Sequence, residues 1–308
     1  MIDQSIEKVG NVRLNYCFYK GTDQYSDGDI EDTLLTIVQQ NETFEDVLMQ
    51  QNEWALLYHL SPMRENLLEW YNFGEGKTLL EIGAGCGGIT GLFCRKCGRV
   101  VAIDLSKRRS MINATRNKVM DNLEIMVGNF EDIRIEEKFD YVTLIGVLEY
   151  SIYYINSDSP FVDMLKKAKS YLKPGGKLII AIENKYGIKY WAGAREDHTG
   201  NLMDGIMGYS GVERVRTFSK EGLEALLKEA GFTDLEFYYP LPDYKLPTEI
   251  YSQERLPKEY PFSDNTPNYD RDRLSFFDAG KAMDELIHEG KFEMFANSYL
   301  VFCEESVR

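Results

Sequence analysis

The chain has 308 residues and a formal net charge of −15, from 50 acidic and 35 basic side chains. Hydrophobic residues make up 44% of it, which is enough for a packed core and excludes disorder over the whole chain. A surface this acidic repels phosphate backbones, so nucleic acid is not an expected partner. No segment reaches the ~20 apolar residues that span a bilayer, and the N-terminus has no secretory signal. Five cysteines without a repeating spacing favour a reducing, cytoplasmic setting.

The first 73 residues are predicted to form an N-terminal segment of their own. The run from Val12 to Tyr19 has the composition of a strand, whereas residues 43–73 repeat apolar side chains at helical spacing, with a break at Pro62. We expect this segment to cover the site at which a main domain, formed by residues 74–308, binds its substrate (the acceptor site).

Within the main domain, short apolar runs alternate with helical segments, as in successive βαβ units. Five runs have the character of parallel strands that are buried on both faces: 78–82, 100–103, 123–127, 141–145 and 177–182. Two further strands, 235–239 and 298–303, follow a helix that ends at Gly231. The pattern predicts a Rossmann-like α/β fold with a mostly parallel seven-stranded sheet and an antiparallel C-terminal strand pair. Two long inserts, at about 184–218 and 240–295, are expected to carry function.

A glycine-rich loop follows the first of these strands, in the segment LLEIGAGCGGIT at residues 79–90. Glycines allow a tight turn and the close approach of a ligand, and the next helix offers free N–H groups to a negative ligand group. Gly83, Gly85 and Gly88 fit the GxGxxG of dinucleotide-binding proteins, whereas Gly83, Gly85 and Gly87 fit the GxGxG of methyltransferases. The loop alone leaves both interpretations open.

Two carboxylates near the loop bear on this choice. In either interpretation Asp104, at the end of the next strand, would accept hydrogen bonds from ribose hydroxyls. Glu81 comes just before the loop, where a negative charge suits a ligand with ammonium and sulfonium groups better than it suits a pyrophosphate. Glu81 therefore favours a methyl donor, and an NAD-dependent oxidoreductase is the alternative.

Six segments, in this order, resemble motifs of the class I S-adenosylmethionine-dependent methyltransferases. They are EIGAGCG at 81–87, VAID at 101–104, GNFE at 128–131, FDYV and GVLE within 139–149, LKPGG at 172–176, and the helix at 218–232. The resemblance implies S-adenosylmethionine as the cofactor. It also implies a set of cofactor contacts: Glu81, Gly83, Ala84, Gly85, Gly87, Asp104, Leu105, Asn129, Phe130 and Ile145.

Two positions depart from the pattern of this family. Asn129 stands where Asp is usual, but its amide oxygen can still accept a hydrogen bond from the adenine amino group. Tyr150 stands where many small-molecule methyltransferases have His, so a base at that position is absent.

A narrower resemblance concerns the acceptor. The run at 181–190, with residues 192–200, is similar to bacterial methyltransferases associated with glycosyltransferases and surface polysaccharides. It suggests a sugar hydroxyl as acceptor and a glycosyltransferase as partner.

A local group of basic residues either lies on solvated helix faces or attracts an anionic acceptor such as a nucleotide-linked sugar. Its members are Arg95, Lys96, Arg99, Lys107, Arg108, Arg109, Arg116 and Lys118.

His198 is the candidate general base, because it lies in an insert that follows a central strand. A neutral imidazole with a pKa near ~6.5 can take the proton that a hydroxyl acceptor loses. Glu196 or Asp197 would orient the ring, and Glu183 or Asp197 would be the next candidates for the base. The alternative is a solvent-exposed loop histidine.

No metal site is predicted, and the CxxC at Cys94 and Cys97 lacks a second ligand pair.

The function predicted from the sequence is O-methylation of a small molecule or glycan hydroxyl by in-line transfer. The alternatives are the oxidoreductase and a non-catalytic subunit that binds the cofactor.

Overall fold

A computed structural model describes residues 5–51, 53–209, 215–262 and 273–305. Parts of both predicted inserts, residues 210–214 and 263–272, therefore lie outside the described residues. The chain divides into two compact units. Unit 1 runs up to Leu144 and includes Tyr171–Gly176, and unit 2 comprises Ile145–Ser170 and the chain from Lys177 onward. Within the described ranges, no helix has the length and apolar character needed to cross a membrane.

Unit 1 contains a mostly parallel sheet. Its strands are β1 (Ile6–Val9), β2 (Val12–Phe18), β3 (Thr78–Ile82), β4 (Arg99–Asp104), β5 (Leu123–Gly128) and β6 (Phe139–Ile145), whose last residue belongs to unit 2. Their order is β1-β2-β5-β4-β3-β6, and all neighbours except β1 and β2 are parallel. The central strands are buried almost throughout, which explains their near-continuous apolar sequences.

Six helices belong to unit 1: α1 (Ile30–Gln40), α2 (Glu45–Gln50), α3 (Trp54–Leu60), α4 (Asn66–Glu69), α5 (Thr90–Lys96) and α6 (Lys107–Arg116). A short 3₁₀ helix, Pro62–Glu65, accounts for the predicted break at Pro62. Leu34 and Ile37 of α1 pack with Leu56 of α3, Ile112 of α6 and Cys86 of the glycine loop. The N-terminal helices thus contribute to the same hydrophobic core as the glycine loop.

Unit 2 contains an antiparallel group of strands in the order β7-β10-β8-β9. These are β7 (Leu172–Glu183), of which unit 2 holds the part from Lys177, β8 (Asp234–Leu241), β9 (Glu249–Ser252) and β10 (Ser298–Glu304). Its helices are α7 (Ser151–Tyr154), α8 (Pro160–Ser170), α9 (Ile188–Trp191), α10 (Lys220–Glu229), α11 (Ala279–His288) and α12 (Phe292–Phe295).

The predicted fold class is confirmed: a mostly parallel α/β arrangement with antiparallel C-terminal strands. All seven predicted strands are present, as β3 to β8 and β10. The described residues contain three more. The strand-like run at Val12 is β2, which pairs in parallel with β5, while β1 and β9 pair as short outer strands. The boundary at residues 73 and 74, and the role of the N-terminal segment as a cover, remain predictions.

Candidate active site

The glycine loop leaves β3 through three residues with left-handed backbone: φ is +74° at Gly83, +54° at Gly85 and +78° at Gly87. A Cβ added at Gly85 would meet the Arg109 Nη2 atom at 2.8 Å, and one at Gly87 would meet the Asn113 Oδ1 atom at 2.5 Å. Both the dihedral angles and the space therefore require glycine at these two positions. Helix α5 begins only after the loop, so the glycines lie in the turn that precedes it.

Strand register places Asp104 beside this loop. Ile82 pairs with Ile103, and the backbone N–H groups of Gly83 and Ala84 both donate to the Ile103 carbonyl, at 2.8 and 3.0 Å. Asp104 accepts from the Gly85 N–H at 2.8 Å through Oδ2. It also accepts from the Ser106 N–H at 2.9 Å, through Oδ1. A carboxylate has about four acceptor positions, so Asp104 holds the loop and retains capacity for ribose hydroxyls.

Glu81 is buried beneath the loop. Its Oε2 accepts from the Thr90 hydroxyl at 2.6 Å, and the same hydroxyl oxygen accepts from Asn113 Nδ2 at 3.0 Å. Burial raises the pKa of Glu81 to about 8, while the Thr90 bond acts in the opposite direction. A positively charged ligand group beside Glu81 would favour the ionised carboxylate, as expected for the methyl donor.

The other predicted cofactor contacts lie at or near strand ends. Asn129 Oδ1 accepts from the Glu131 N–H at 2.9 Å, which fixes the turn after β5. Phe130 is buried, with its ring centroid 5.9 Å from that of Tyr171. Leu105 and Ile145 are half-buried, and Ile145 belongs to unit 2. Contact between the cofactor and any of the ten predicted residues remains a proposal.

Arg109, which the sequence analysis did not assign to the loop, lies against Gly85. Its guanidinium carbon is 4.8 Å from the centroid of the Tyr25 ring, and its Nη2 is 3.8 Å from Asp27 Oδ2. Asp27 also lies 3.2 Å from His59 Nε2. Burial opposes ionisation of Asp27, but the His59 bond and the Arg109 charge hold its pKa down at about 2. The N-terminal segment thus reaches the glycine loop through the contact of Asp27 with Arg109.

Most residues of the predicted basic group form ion pairs within unit 1. This supports the interpretation that they lie on solvated helix faces, rather than the alternative that they bind an anionic acceptor. The pairs are Arg95 with Glu65, Lys96 with Glu69, Arg99 with Glu124 and Glu137, Arg108 with Glu31 and Asp32, and Arg109 with Asp27. Cys94 and Cys97 are buried free thiols, and burial raises the pKa of each to about 12. Neither cysteine is therefore an available thiolate.

In unit 2, His198 is the centre of a buried acidic cluster. Its side chain is only 7% exposed, which excludes the solvent-exposed alternative. Nδ1 lies 3.0 Å from Glu196 Oε1, as the sequence predicts for an orienting carboxylate. Nε2 lies 3.7 Å from Glu149 Oε1 and 4.0 Å from Glu183 Oε2.

The expectation of a neutral imidazole with an ordinary pKa is wrong. Burial lowers the pKa of His198, but Glu149, Glu183 and Glu196 outweigh that effect and hold it well above its usual value. The three carboxylates favour the protonated ring in the ligand-free protein, which argues against His198 as the base in that state.

Two buried lysines compensate part of the negative charge. Asp197 lies between them, with Oδ2 2.9 Å from Lys189 Nζ and Oδ1 2.9 Å from Lys245 Nζ. Lys189 also lies 3.5 Å from Asp243, and Lys245 contacts Glu183 Oε1. Burial opposes ionisation of Asp197, but the two lysines hold its pKa well below its usual value. Asp197 is thus an ion-pair partner and an unsuitable base.

Glu149 and Glu183 each keep one buried oxygen, Oε2, that has no hydrogen-bond partner in the described part of the chain. Glu183 is the last residue of β7, and Glu149 follows β6 after a three-residue connection whose last residue, Leu148, begins a 3₁₀ helix. Acidic residues directly beyond apolar strands were a signal that could have identified both, because ligands bind at this end of parallel strands. Lys245 offered no such signal, since it lies in the second insert without a motif.

Comparison with known proteins agrees with this geometry. A family model described as a methyltransferase domain matches residues 33–236, more than half of the chain. The chain is 28% identical to "Probable protein arginine N-methyltransferase 6" of Arabidopsis thaliana over 122 residues, 38% of this chain and 26% of that protein. It is 30% identical to malonyl-[acyl-carrier protein] O-methyltransferase of Priestia megaterium over 119 residues, 38% of this chain and 40% of that protein. The matched parts span only about a quarter to two fifths of these relatives.

Two solved structures are also similar to this chain. One is a Thermotoga maritima methyltransferase described as a "possible histamine N-methyltransferase", with a TM-score of 0.47 and 15% identity, covering 89% of this chain and all of that one. The other is a Haloferax volcanii methyltransferase in complex with the Trm112 activator, with a TM-score of 0.49 and 17% identity, covering 88% and 99%. The family match decides against the dinucleotide interpretation, which the glycine loop and Asp104 leave open. The chain belongs to the class I S-adenosylmethionine-dependent methyltransferases, and S-adenosylmethionine is its cofactor.

Proposed function

We propose that this chain transfers the methyl group of S-adenosylmethionine to a hydroxyl oxygen of a small molecule or glycan. One observation carries the choice of acceptor: the buried Oε2 atoms of Glu149 and Glu183, which have no hydrogen-bond partner among the residues that the structure describes. A carboxylate oxygen accepts hydrogen bonds, and a hydroxyl group is a donor of the matching kind. An acceptor with several hydroxyl groups would satisfy both oxygens.

The segment that resembles polysaccharide-associated methyltransferases supports a sugar as the acceptor. That segment supplies Glu183, Lys189, Glu196, Asp197 and His198, most of the charged residues of the cluster. A sugar hydroxyl, on a nucleotide-linked sugar or on a glycan made by a glycosyltransferase partner, is the finer part of this proposal. It rests on the resemblance together with the chemistry of the cluster.

When bound, S-adenosylmethionine supplies an electrophilic methyl group. As the acceptor oxygen bonds to the methyl carbon, the methyl–sulfur bond breaks, the sulfur keeps the electron pair and the hydroxyl proton leaves to solvent. Glu149 and Glu183 accept hydrogen bonds from the acceptor and fix the position of its oxygen. Positioning alone can supply ~7–11 kcal/mol in well-oriented systems.

The test is a methyl-transfer assay with isotopically labelled S-adenosylmethionine and a panel of free sugars, nucleotide-linked sugars and amines, with products assigned by NMR. We expect O-methylated sugar, and a decrease in kcat/KM for Glu183→Gln of ~10–150-fold, the scale of a lost hydrogen bond to a charged group. Glu289→Gln, an exposed glutamate of the same unit, should leave the rate unchanged.

Methylation confined to the amines would overturn the proposed acceptor. Binding of S-adenosylhomocysteine without methylation of any member of the panel would favour the non-catalytic alternative. The melting temperature of each variant shows whether a loss of activity reflects unfolding.

A further inference from the structure

We propose that Glu149, Glu183 and His198 bind a divalent metal ion, and that this ion binds the acceptor hydroxyl. The metal site follows from the geometry of unit 2 alone. Its use in activating a hydroxyl rests on the proposed function, and the ion then takes the place of the direct hydrogen bonds from the acceptor to Glu149 and Glu183.

The spacing of three side-chain atoms fits a metal ion. Glu149, Glu183 and His198 each offer one ligand atom, and the three atoms lie within 4.8 Å of one another. His198 Nε2 is 3.7 Å from Glu149 Oε1 and 4.0 Å from Glu183 Oε2. Metal–ligand bonds of about 2.0–2.2 Å separate neighbouring ligand atoms by roughly 3–3.6 Å. Small side-chain movements would therefore close the site around an ion.

Unpaired carboxylate oxygens point to a missing cation. The exposure of Glu149 is 1% and that of Glu183 is 0%, yet Oε2 of each has no hydrogen-bond partner within the described ranges. Leaving a buried charged oxygen without a partner is costly, and native proteins rarely do so. The other oxygen of Glu183 contacts Lys245 and accepts from the Tyr244 hydroxyl at 3.3 Å. These two contacts fix the orientation of the Glu183 carboxylate, and its Oε2 is the oxygen that lies nearest to His198 Nε2.

A second layer of hydrogen bonds orients the histidine for metal binding. Nδ1 pairs with Glu196 Oε1 at 3.0 Å. Glu196 is itself held, because it accepts from the N–H groups of His198 and Thr199 at 2.8 and 2.6 Å and from the Tyr209 hydroxyl at 3.1 Å. A carboxylate on one ring nitrogen directs the lone pair of the other nitrogen towards a metal ion. Nε2 is the free ligand in that arrangement.

The charge balance also favours a cation. Asp197 and Asp243 match the charges of Lys189 and Lys245, to which they are adjacent. Three buried carboxylates then remain around one imidazole: Glu149, Glu183 and Glu196. A divalent ion offsets two of these negative charges.

The ligand types indicate which metal ions the site would take. One imidazole nitrogen and two carboxylate oxygens suit Mn²⁺ or Zn²⁺ better than soft metal ions. Three protein ligands leave positions open for an acceptor oxygen. A hydroxyl bound there loses its proton to water more easily, because the metal ion acts as a Lewis acid.

The direct test is Mn²⁺ titration of the full chain after removal of metals with a chelator, followed by electron paramagnetic resonance of free Mn²⁺. We expect one bound ion per chain. Glu149→Gln and His198→Ala should each weaken binding at least tenfold, and Glu289→Gln should not. Glu196→Gln should weaken it by ~10–100-fold, because Glu196 is a positioning residue that orients His198. Circular dichroism of each variant checks folding.

Two results would overturn the metal site: no binding of Mn²⁺ or Zn²⁺ by the stripped protein, or equal affinity in Glu149→Gln and the unaltered protein. O-methylation that persists in excess chelator would overturn the role of the metal and leave the proposed function intact. Metal binding without O-methylation of any acceptor would overturn the proposed function and leave the metal site intact.

Discussion

The glycine loop of unit 1 and the acidic cluster of unit 2 are built in different ways. The loop is one continuous segment in which backbone groups and glycine φ angles provide the shape, with Asp104 on the neighbouring strand. The cluster instead joins side chains from separate segments, among them Glu149, Glu183, His198 and Lys245. A backbone site can be identified in the local sequence, whereas a site made of distant side chains requires the fold.

The largest effect should come from a substitution that the loop cannot accommodate. Gly85→Val adds a branched side chain at φ +54°, with its Cβ 2.8 Å from Arg109 Nη2. The positive φ costs a residue with a side chain ~1–2 kcal/mol, which favours a changed loop backbone, and the branched side chain would enter the space that the bound ligand is proposed to occupy. We therefore expect S-adenosylhomocysteine affinity to decrease at least tenfold, which is ~1.4 kcal/mol or more. Isothermal titration calorimetry measures this directly.

Gly76→Val is the matched control for this substitution. Gly76 also has a positive φ, +70°, but a Cβ there meets no heavy atom within 4 Å. It should cost stability while leaving cofactor affinity within about twofold, well below the ~1.4 kcal/mol of a tenfold change. Equal affinities in the two variants would mean that the loop tolerates a side chain at residue 85.

A smaller effect concerns the pH dependence of stability. Because burial raises the pKa of Glu81 to about 8 from an ordinary value of 4.5, the folded chain binds more protons than the unfolded chain between these pH values. The contribution of Glu81 is fully present below pH 4.5 and is lost as the pH rises through 8. The unfolding free energy should fall in this window by up to about 1.4 kcal/mol per pH unit.

Urea unfolding of the ligand-free protein at several pH values measures this dependence, and Glu81→Gln should flatten it. Glu75→Gln, an exposed glutamate of unit 1, is the control. Parallel curves for Glu81→Gln and the unaltered chain would show that Glu81 titrates normally. Glu81 would then titrate like an exposed carboxylate. The contrast between the glycine loop and the lysine-paired cluster would be smaller than their contacts suggest.

The central strands were predictable because burial on both faces forces continuous apolar runs, as in β3 and β4. The outer strands β1 and β9 were not predictable from the sequence. Each has four residues, IEKV and EIYS, with little burial and therefore no hydrophobic pattern. Their strand geometry comes from pairing with a neighbour, and that information is tertiary.

The candidate site shows the same division. Gly83, Gly85 and Asp104 follow from motif and register, since a strand end and its glycine turn are local features. The partners of His198 do not follow from a motif or from strand register, and for this reason the pKa expected for His198 was wrong. From the sequence, Glu196 and Asp197 were visible neighbours, but the approach of Glu149 and Glu183 depends on how β7 and the segment after β6 fold.

The most direct test of separate roles for the two regions is S-adenosylhomocysteine titration of two variants, with labelled methyl transfer measured in parallel. Asp104→Ala should weaken binding by ~1.5–3 kcal/mol, because it removes a charged hydrogen-bond acceptor. His198→Ala should bind with nearly unchanged affinity while turnover falls by at least ~10–100-fold, because the proposed metal ion loses one of its ligands and the acceptor hydroxyl loses its Lewis acid. Unchanged affinity in Asp104→Ala, or turnover retained in His198→Ala, would contradict the account.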